Sequence, residues 1–207
     1  VYNLPNGIKI PGGNVILNCN GATLDGGGNY WRGIDVFEPD VGIPVNPQTN
    51  ITIKNCIISN YGDSGIKVAF RSQVNVINNT IKNIGVTSMD LLGVCNVSVL
   101  GNKFNSTSIF MDQSGLRQYN WNYSYFTKNS QNCSYITNIE NNSFQNNFYW
   151  AIFLGSFLDP NYPNPITIKN NIFQGITSDA LVMVGNLAPT EVYNNVFQNI
   201  YGYPLVI

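Results

Sequence analysis

Histidine is absent from the 207-residue chain, and charge is sparse, with 10 Lys and Arg against 11 Asp and Glu. The first absence removes Ser-His-Asp triads, Cys-His pairs, histidine metal sites and histidine pH switches together. The second leaves no basic surface to neutralise a phosphate backbone, which excludes nucleic acid as a partner. No run of about 18 apolar residues occurs, so no segment reads as a membrane span. The four cysteines, Cys19, Cys56, Cys95 and Cys133, lie 37, 39 and 38 apart and contain no C-x-x-C pair, which argues against zinc and redox motifs.

What is present points the other way. Hydrophobic residues make up 43% of the chain and aromatics 13%, enough for one sizeable core, and residues 1–207 read as a single domain. Asparagine reaches 34 residues, so a structural feature must be using side-chain amides. Seven N-x-[ST] sequons begin at Asn50, Asn78, Asn96, Asn105, Asn122, Asn132 and Asn141 and are glycosylation candidates. With few charges, these sequons and an even cysteine count, the chain reads as secreted or on the cell surface, and the absence of an initial Met reads as a processed or excised chain.

A repeat organises the sequence. Asn50-Ile-Thr-Ile-Lys-Asn-Cys-Ile-Ile58 aligns with Val74-Asn-Val-Ile-Asn-Asn-Thr-Ile81, Val97-Ser-Val-Leu-Gly-Asn-Lys-Phe104 and Thr137-Asn-Ile-Glu-Asn-Asn-Ser-Phe144. Ile166-Thr-Ile-Lys-Asn-Asn-Ile-Phe173 and Thr190-Glu-Val-Tyr-Asn-Asn-Val-Phe197 are further copies. The second position of the Asn-Asn pair falls at Cys56, Asn79, Asn102, Asn142, Asn171 and Asn195, at spacings of 23, 23, 40, 29 and 24. Each unit opens with two-residue alternation, such as Ile51/Ile53 and Val74/Val76, the signature of a half-buried strand. The Asn-Asn pair makes a sharp turn, because Asn tolerates left-handed backbone values. A second short strand points Ile58, Ile81, Phe104, Phe144, Phe173 or Phe197 inward, and a third follows at Ile66-Lys-Val68, Ile152-Phe-Leu154, Leu181-Val-Met183 and Leu205-Val-Ile207. The first unit fits less tightly, with Leu17, Cys19 and Leu24 inward and Ile34-Asp-Val36 as its third strand.

Three short strands per turn bury an apolar face only when successive turns stack, which predicts an all-β, parallel β-helix solenoid of about seven coils. Stacking brings equivalent residues to about 4.8 Å, so the repeated Asn side chains should form hydrogen-bonded ladders. The segments Leu17-Asn-Cys-Asn-Gly-Ala-Thr-Leu-Asp-Gly26 and Asn50-Ile-Thr-Ile-Lys-Asn-Cys-Ile-Ile-Ser-Asn-Tyr-Gly-Asp-Ser-Gly-Ile66 resemble the repeat of right-handed parallel β-helix proteins of the pectate-lyase-like superfamily. The richness in Asn, Tyr and Ile also resembles cell-surface proteins of thermophilic archaea.

Outward positions of the third strand read Asp35, Lys67, Asp90, then Met111 or Asp112 depending on register, Phe153, Val182 and Val206. The charged rungs fit either an alternating surface ion-pair ladder or, with Asp63 and Arg71, a catalytic cluster. The resemblance implies a substrate groove along this strand, where uronate lyases use a Lys or Arg base with carboxylates or calcium. The chain lacks the Gly-His-Gly-like segment of hydrolases of the superfamily and the histidine of its epimerases. Asp35, Asp63 and Asp90 with main-chain oxygens are numerous enough for calcium, but no spacing demands it, and no cofactor is assigned.

Extra residues in the longer units predict excursions after the third strand over 37–49, 114–134 and 156–164. The middle one holds Tyr119, Trp121, Tyr123, Tyr125 and Phe126 among amides, which fits sugar stacking, a protein interface or packing on the solenoid flank; Phe153 joins this set as an outward aromatic. Cys19 aligns with Ile53 and Cys56 takes a ladder position, so a bridge between adjacent turns is open to them. Cys95 and Cys133 both precede first strands of successive turns, the pairing the register favours. Pro204-Leu-Val-Ile207 ends within a strand, so either the chain is a piece of a longer protein or another subunit completes the rung, through homo-oligomer or filament assembly. The resulting expectation is a secreted, non-catalytic module in glycan binding, adhesion or surface assembly, with a polysaccharide lyase as the alternative.

Overall fold

A computed structural model describes residues 1–11, 13–36, 50–69, 73–92, 94, 96–105, 114–120, 137–146, 149–156, 165–185 and 190–207. Among these the chain is all-β, with three parallel sheets of 7, 8 and 8 strands that wind as a right-handed β-helix. The sheet of first strands runs from Val15–Asn18 through Asn50–Lys54, Gln73–Ile77, Asn96–Leu100, Thr137–Glu140 and Ile166–Lys169 to Thr190–Tyr193. With their second and third strands these make seven coils, numbered 1 to 7 below, and Tyr2–Asn3 and Ile8–Lys9 add a partial coil before the first.

The core follows from the alternation. Ile51, Ile53, Val74, Val76, Val99, Ile139 and Ile168 point inward from the first sheet and are fully buried. Beside an inward set of Tyr61, Ile84, Ile176 and Ile200, the second sheet contributes one column in register through all seven coils, Leu24, Ile58, Ile81, Phe104, Phe144, Phe173 and Phe197. Its phenylalanines stack nearly parallel, with ring centroids 4.7, 5.1 and 4.9 Å apart, which is the spacing of the coils themselves. Apolar pairs such as Ile34/Val36, Ile66/Val68 and Met89/Leu91 close the third side.

The abundance of asparagine has two structural causes. At the bend after the first strand, the first Asn of each pair takes a left-handed backbone: Asn55, Asn78, Asn141, Asn170 and Asn194 have φ of 54 to 57°, and Gly101 holds the place in coil 4. The second Asn turns inward and forms the ladder. Asn79 Nδ2 donates to Asn102 Oδ1 at 3.0 Å, Asn102 to Asn142 at 3.1 Å, Asn142 to Asn171 at 3.0 Å, and Asn171 to Asn195 at 3.0 Å. Each receiving oxygen also accepts the main-chain N–H of the donor residue, and each Nδ2 also donates to a first-strand carbonyl of the preceding coil, as Asn142 does to Val99 at 2.8 Å. A second left-handed column, at the bend near the end of the second strands, holds Asn60, Asn83, Asn146, Gly175 and Asn199.

Several expectations need correction. Leu17, and not Cys19, pairs with Ile53, because seven positions separate Leu17 from Leu24 while five separate Ile53 from Ile58; the longer bend carries Cys19 opposite Asn55. From there Cys19 is bonded to Cys56. Cys95 and Cys133 lie outside the described residues. Residues 114–120 are not part of an excursion: Ser114–Asn120 is the third strand of coil 4, with Leu116 in register with Met89 and Ile152. The residue in register with Asp90 is therefore Arg117, and not Met111 or Asp112, because the third strand of this longer unit begins at Ser114, beyond both of them. The excursions 37–49 and 157–164, and residues 121–134, lie outside the described residues.

Candidate functional site

The third sheet is the face on which charged and aromatic side chains converge. Along one register column stand Lys9, Asp35, Lys67, Asp90 and Arg117, one per coil and alternating in sign, followed by Phe153, Val182 and Val206. Parallel in-register pairing produces this column directly, since every third strand offers its outward position to the same line.

Arg32 organises the upstream end. It stands two residues before Ile34, as Ser64 stands two before Ile66, and its guanidinium bridges two coils. Nη1 donates to Asp35 Oδ2 at 2.9 Å and Nε donates to Asp63 Oδ2 at 2.9 Å. Burial works against the arginine's charge, but the hydrogen bonds to Asp35 and Asp63 outweigh it and hold its pKa above the ordinary value. Asp35 keeps its other oxygen, Oδ1, buried without a hydrogen-bond partner. Lys67 Nζ lies 3.7 Å from Asp90 Oδ2, and the aspartate side chain is only 2% exposed against 18% for the lysine.

Of the five residues proposed for chemistry, the structure brings Asp35 and Asp63 together through Arg32 and pairs Lys67 with Asp90; Arg71 lies outside the described residues. Sequence reading missed Arg32 because its second partner, Asp63, is 31 residues away and becomes a neighbour only by stacking. The cationic end of this face continues in Lys9, whose ammonium lies 5.0 Å from the centroid of the half-exposed Trp31 ring. Among the described residues no three potential metal ligands gather.

Downstream the same face is aromatic. Tyr149 is 46% exposed, its ring meets Trp150 edge-on at 5.0 Å, and Trp150 lies 5.0 Å from Phe153. Only Phe153 of this group was expected; Tyr149 and Trp150 were legible as an aromatic pair at the start of the third strand of coil 5, which Trp150 opens, as Tyr30 and Trp31 stand shortly before that of coil 1. Tyr119 is held in the third strand of coil 4, in register with Leu92 and Gly155, and not in a loop. Trp121, Tyr123, Tyr125 and Phe126 lie outside the described residues.

The sequons divide by position. Asn50 and Asn96 open first strands, Asn78 and Asn141 occupy exposed left-handed bends, and Asn105 closes a second strand, where its Oδ1 accepts from Asn146 at 3.3 Å. Asn122 and Asn132 lie outside the described residues.

Comparison with known proteins gives one family: the right handed beta helix region matches residues 5–149, well over half of the chain. No curated protein and no solved structure matches.

Proposed function

The chain belongs to the right-handed β-helix family, and from that premise we propose that it is a non-catalytic glycan-binding module that takes saccharide on its third-strand face. The observation that carries the reading is the Tyr149–Trp150–Phe153 cluster, an exposed tyrosine packed with two partly buried aromatics at the third sheet, beside a row of paired charges. Aromatic faces stack on the C–H surfaces of sugar rings, and a solenoid holds them without an ordering cost at binding. The polar row supplies donors and acceptors for hydroxyl groups further along the same line.

The charge pairing supports binding over chemistry. A lyase base must be able to take a proton from the sugar, whereas Arg32 is committed to two carboxylates and Lys67 faces the buried Asp90. The module works outside the cell, in adhesion or at a surface; the Cys19–Cys56 bridge supports an oxidising compartment.

The test is retention on a panel of acidic and neutral polysaccharides, followed together with ultraviolet absorbance of unsaturated ends and release of reducing ends. Retention without product, weakened by Tyr149→Ala and Phe153→Ala, is the expected result. The second reading, a polysaccharide lyase, draws on the 3.7 Å Lys67–Asp90 separation, longer than a tight charge-assisted hydrogen bond, and on the unpartnered Asp35 Oδ1. Product formation that disappears in Lys67→Ala would establish that reading and overturn the first.

A further inference from the structure

The left-handed column at the second bend is interrupted, and a groove lies across the interruption. Where consecutive coils both carry asparagine there, the amides bond one another: Asn83 Nδ2 donates to Asn60 Oδ1 at 3.1 Å, and Asn60 in turn to Asp25 at 3.0 Å. Coil 6 has Gly175 in this place, between Asn146 of coil 5 and Asn199 of coil 7; the register of Gln145, Gln174 and Gln198 puts the three on one line. Two coil spacings, about 10 Å, thus separate the flanking asparagines. An open groove of about 420 Å³ lies across this gap, lined by Asn146, Gly175, Thr177, Asn199, Ile200 and Tyr201.

Its chemistry is specific. None of the six lining residues is charged, so the groove has nothing to neutralise an anion or a cation. The Asn199 amide and the Asn146 side-chain oxygen, whose Nδ2 is engaged with Asn105 at 3.3 Å, offer polar groups on both sides, and Tyr201, 82% exposed, adds a flat aromatic face. Size and lining fit a short stretch of uncharged sugar and fit a hydrophobic ligand poorly.

We propose that this groove is a second saccharide site, taking a neutral oligosaccharide and lying at the second bend, apart from the third-strand aromatic cluster. It rests on reading the chain as a glycan binder and assigns that activity to other residues. The coils supply their own control. Asparagine already adopts the required backbone at this column, with φ of 61, 54, 65 and 53° at Asn60, Asn83, Asn146 and Asn199 against 66° at Gly175. A Cβ built on Gly175 meets nothing closer than Asn146 Oδ1 at 3.6 Å. Gly175→Asn therefore continues the amide column, narrows the groove at its middle and leaves the fold intact.

The experiment follows backbone amide shifts of the full chain by NMR during titration with neutral gluco-, manno- and galacto-oligosaccharides. Shifts at residues 175, 177 and 199–201 with one of them are expected. Gly175→Asn and Tyr201→Ala should each weaken that binding on the order of tenfold, the worth of one or two hydrogen bonds or a stacked ring. Tyr149→Ala should leave it unchanged. Binding that survives Gly175→Asn, or a wild-type chain that binds none of these sugars, overturns the second site. Retention on polysaccharide that is lost only in Tyr149→Ala overturns it too while leaving the third-strand reading standing; loss of both responses removes both.

Discussion

The main-chain N–H of Cys56 donates to Asn79 Oδ1 at 2.9 Å, the same bond that the N–H of Asn79 makes to Asn102 and that of Asn102 to Asn142. Cys56 thus holds the ladder's first position with a side chain that has no amide to contribute. Its sulfur is bonded to Cys19, so at this rung a covalent link between adjacent coils stands where a pair of hydrogen bonds holds the later ones. Asn79 Oδ1 is left with one ladder donor instead of two, at the point where the long first bend would misplace a partner.

Removing the bridge should be costly, and asparagine should recover part of the loss. The sequence separation of 37 corresponds to about 4 kcal/mol of chain entropy in the unfolded state. In Cys19→Ser/Cys56→Asn the new amide has two acceptors waiting: Asn79 Oδ1, and the Leu17 carbonyl, which stands to coil 2 as the Ile53 carbonyl stands to coil 3. The double variant should unfold at lower urea than the native chain but be about 1–2 kcal/mol more stable than Cys19→Ser/Cys56→Ala. Equal midpoints for the two variants would show that the ladder cannot extend past Asn79.

Position along the ladder should set the cost of breaking it. Asn142→Ala leaves the N–H of Asn102 without its acceptor and the Val99 carbonyl without its donor, both in buried surroundings, while Asn102 Nδ2 keeps its bond to the Val76 carbonyl. At about 1–3 kcal/mol for each buried group left unpaired, a loss of at least about 2 kcal/mol is expected. Asn195→Ala strands groups that are only partly buried, where water can substitute, and should cost about half as much. Urea unfolding of both variants measures the difference; equal costs would count against the ladder as a source of stability.

The repeat was legible because a coil repeats its chemistry. Alternating Ile and Val, the Phe column and the Asn-Asn pair recur at a nearly fixed spacing, and parallel in-register pairing turns each recurrence into a contact. Legibility failed where spacing changed. The first bend holds two extra residues, so Cys19 was placed beside Ile53 when Leu17 belongs there. The 40-residue interval from Asn102 to Asn142 hid the third strand of coil 4, and with it Arg117 beside Asp90. Side-chain bridges between coils were hidden as well, since nothing local to Trp31-Arg32-Gly33 indicates that Arg32 meets Asp63. The second left-handed column was missed for another reason: Asn60, Asn83 and Asn199 stand singly, without the paired Asn that marked the first bend, and only Asn146 is followed by a second Asn.

Arg32 should matter to stability through the two carboxylates it joins. Asp35 is only 10% exposed and would be left charged without its guanidinium, while Asp63 at 27% is better solvated. Arg32→Ala should cost about 2 kcal/mol, most of it from Asp35, since the partly exposed Asp63 recovers water. Arg32→Lys keeps the charge but lacks a planar fork with two separated donors, so it should recover less than half of the loss. Thermal unfolding of the two variants checks the order; full recovery with lysine would mean that charge alone, and not the bridge between coils, is what Arg32 provides.

Alkaline pH should reach the fold through Tyr61. Its ring is buried in the core, in the space left where Gly26 and Gly33 have no side chains, and its hydroxyl donates to the Leu4 carbonyl at 3.1 Å, tying the partial first coil to coil 2. Burial, aided by the nearby Asp25 charge, pushes its pKa up from 10.0 to about 12. The unfolded chain therefore releases this proton first as pH rises. The contribution of Tyr61 is whole below about pH 10 and is lost progressively on the way to about 12, because the folded state binds more protons than the unfolded state across that window. Tyr61→Phe should cost about 1 kcal/mol at neutral pH, for the lost hydrogen bond to Leu4, and should flatten the decline of unfolding free energy between those two pH values. Every other residue is common to both chains, so the difference between the two pH profiles isolates Tyr61. Parallel profiles would show that its hydroxyl ionises as freely in the folded protein as in the unfolded chain, and that the core around Gly26 and Gly33 admits water.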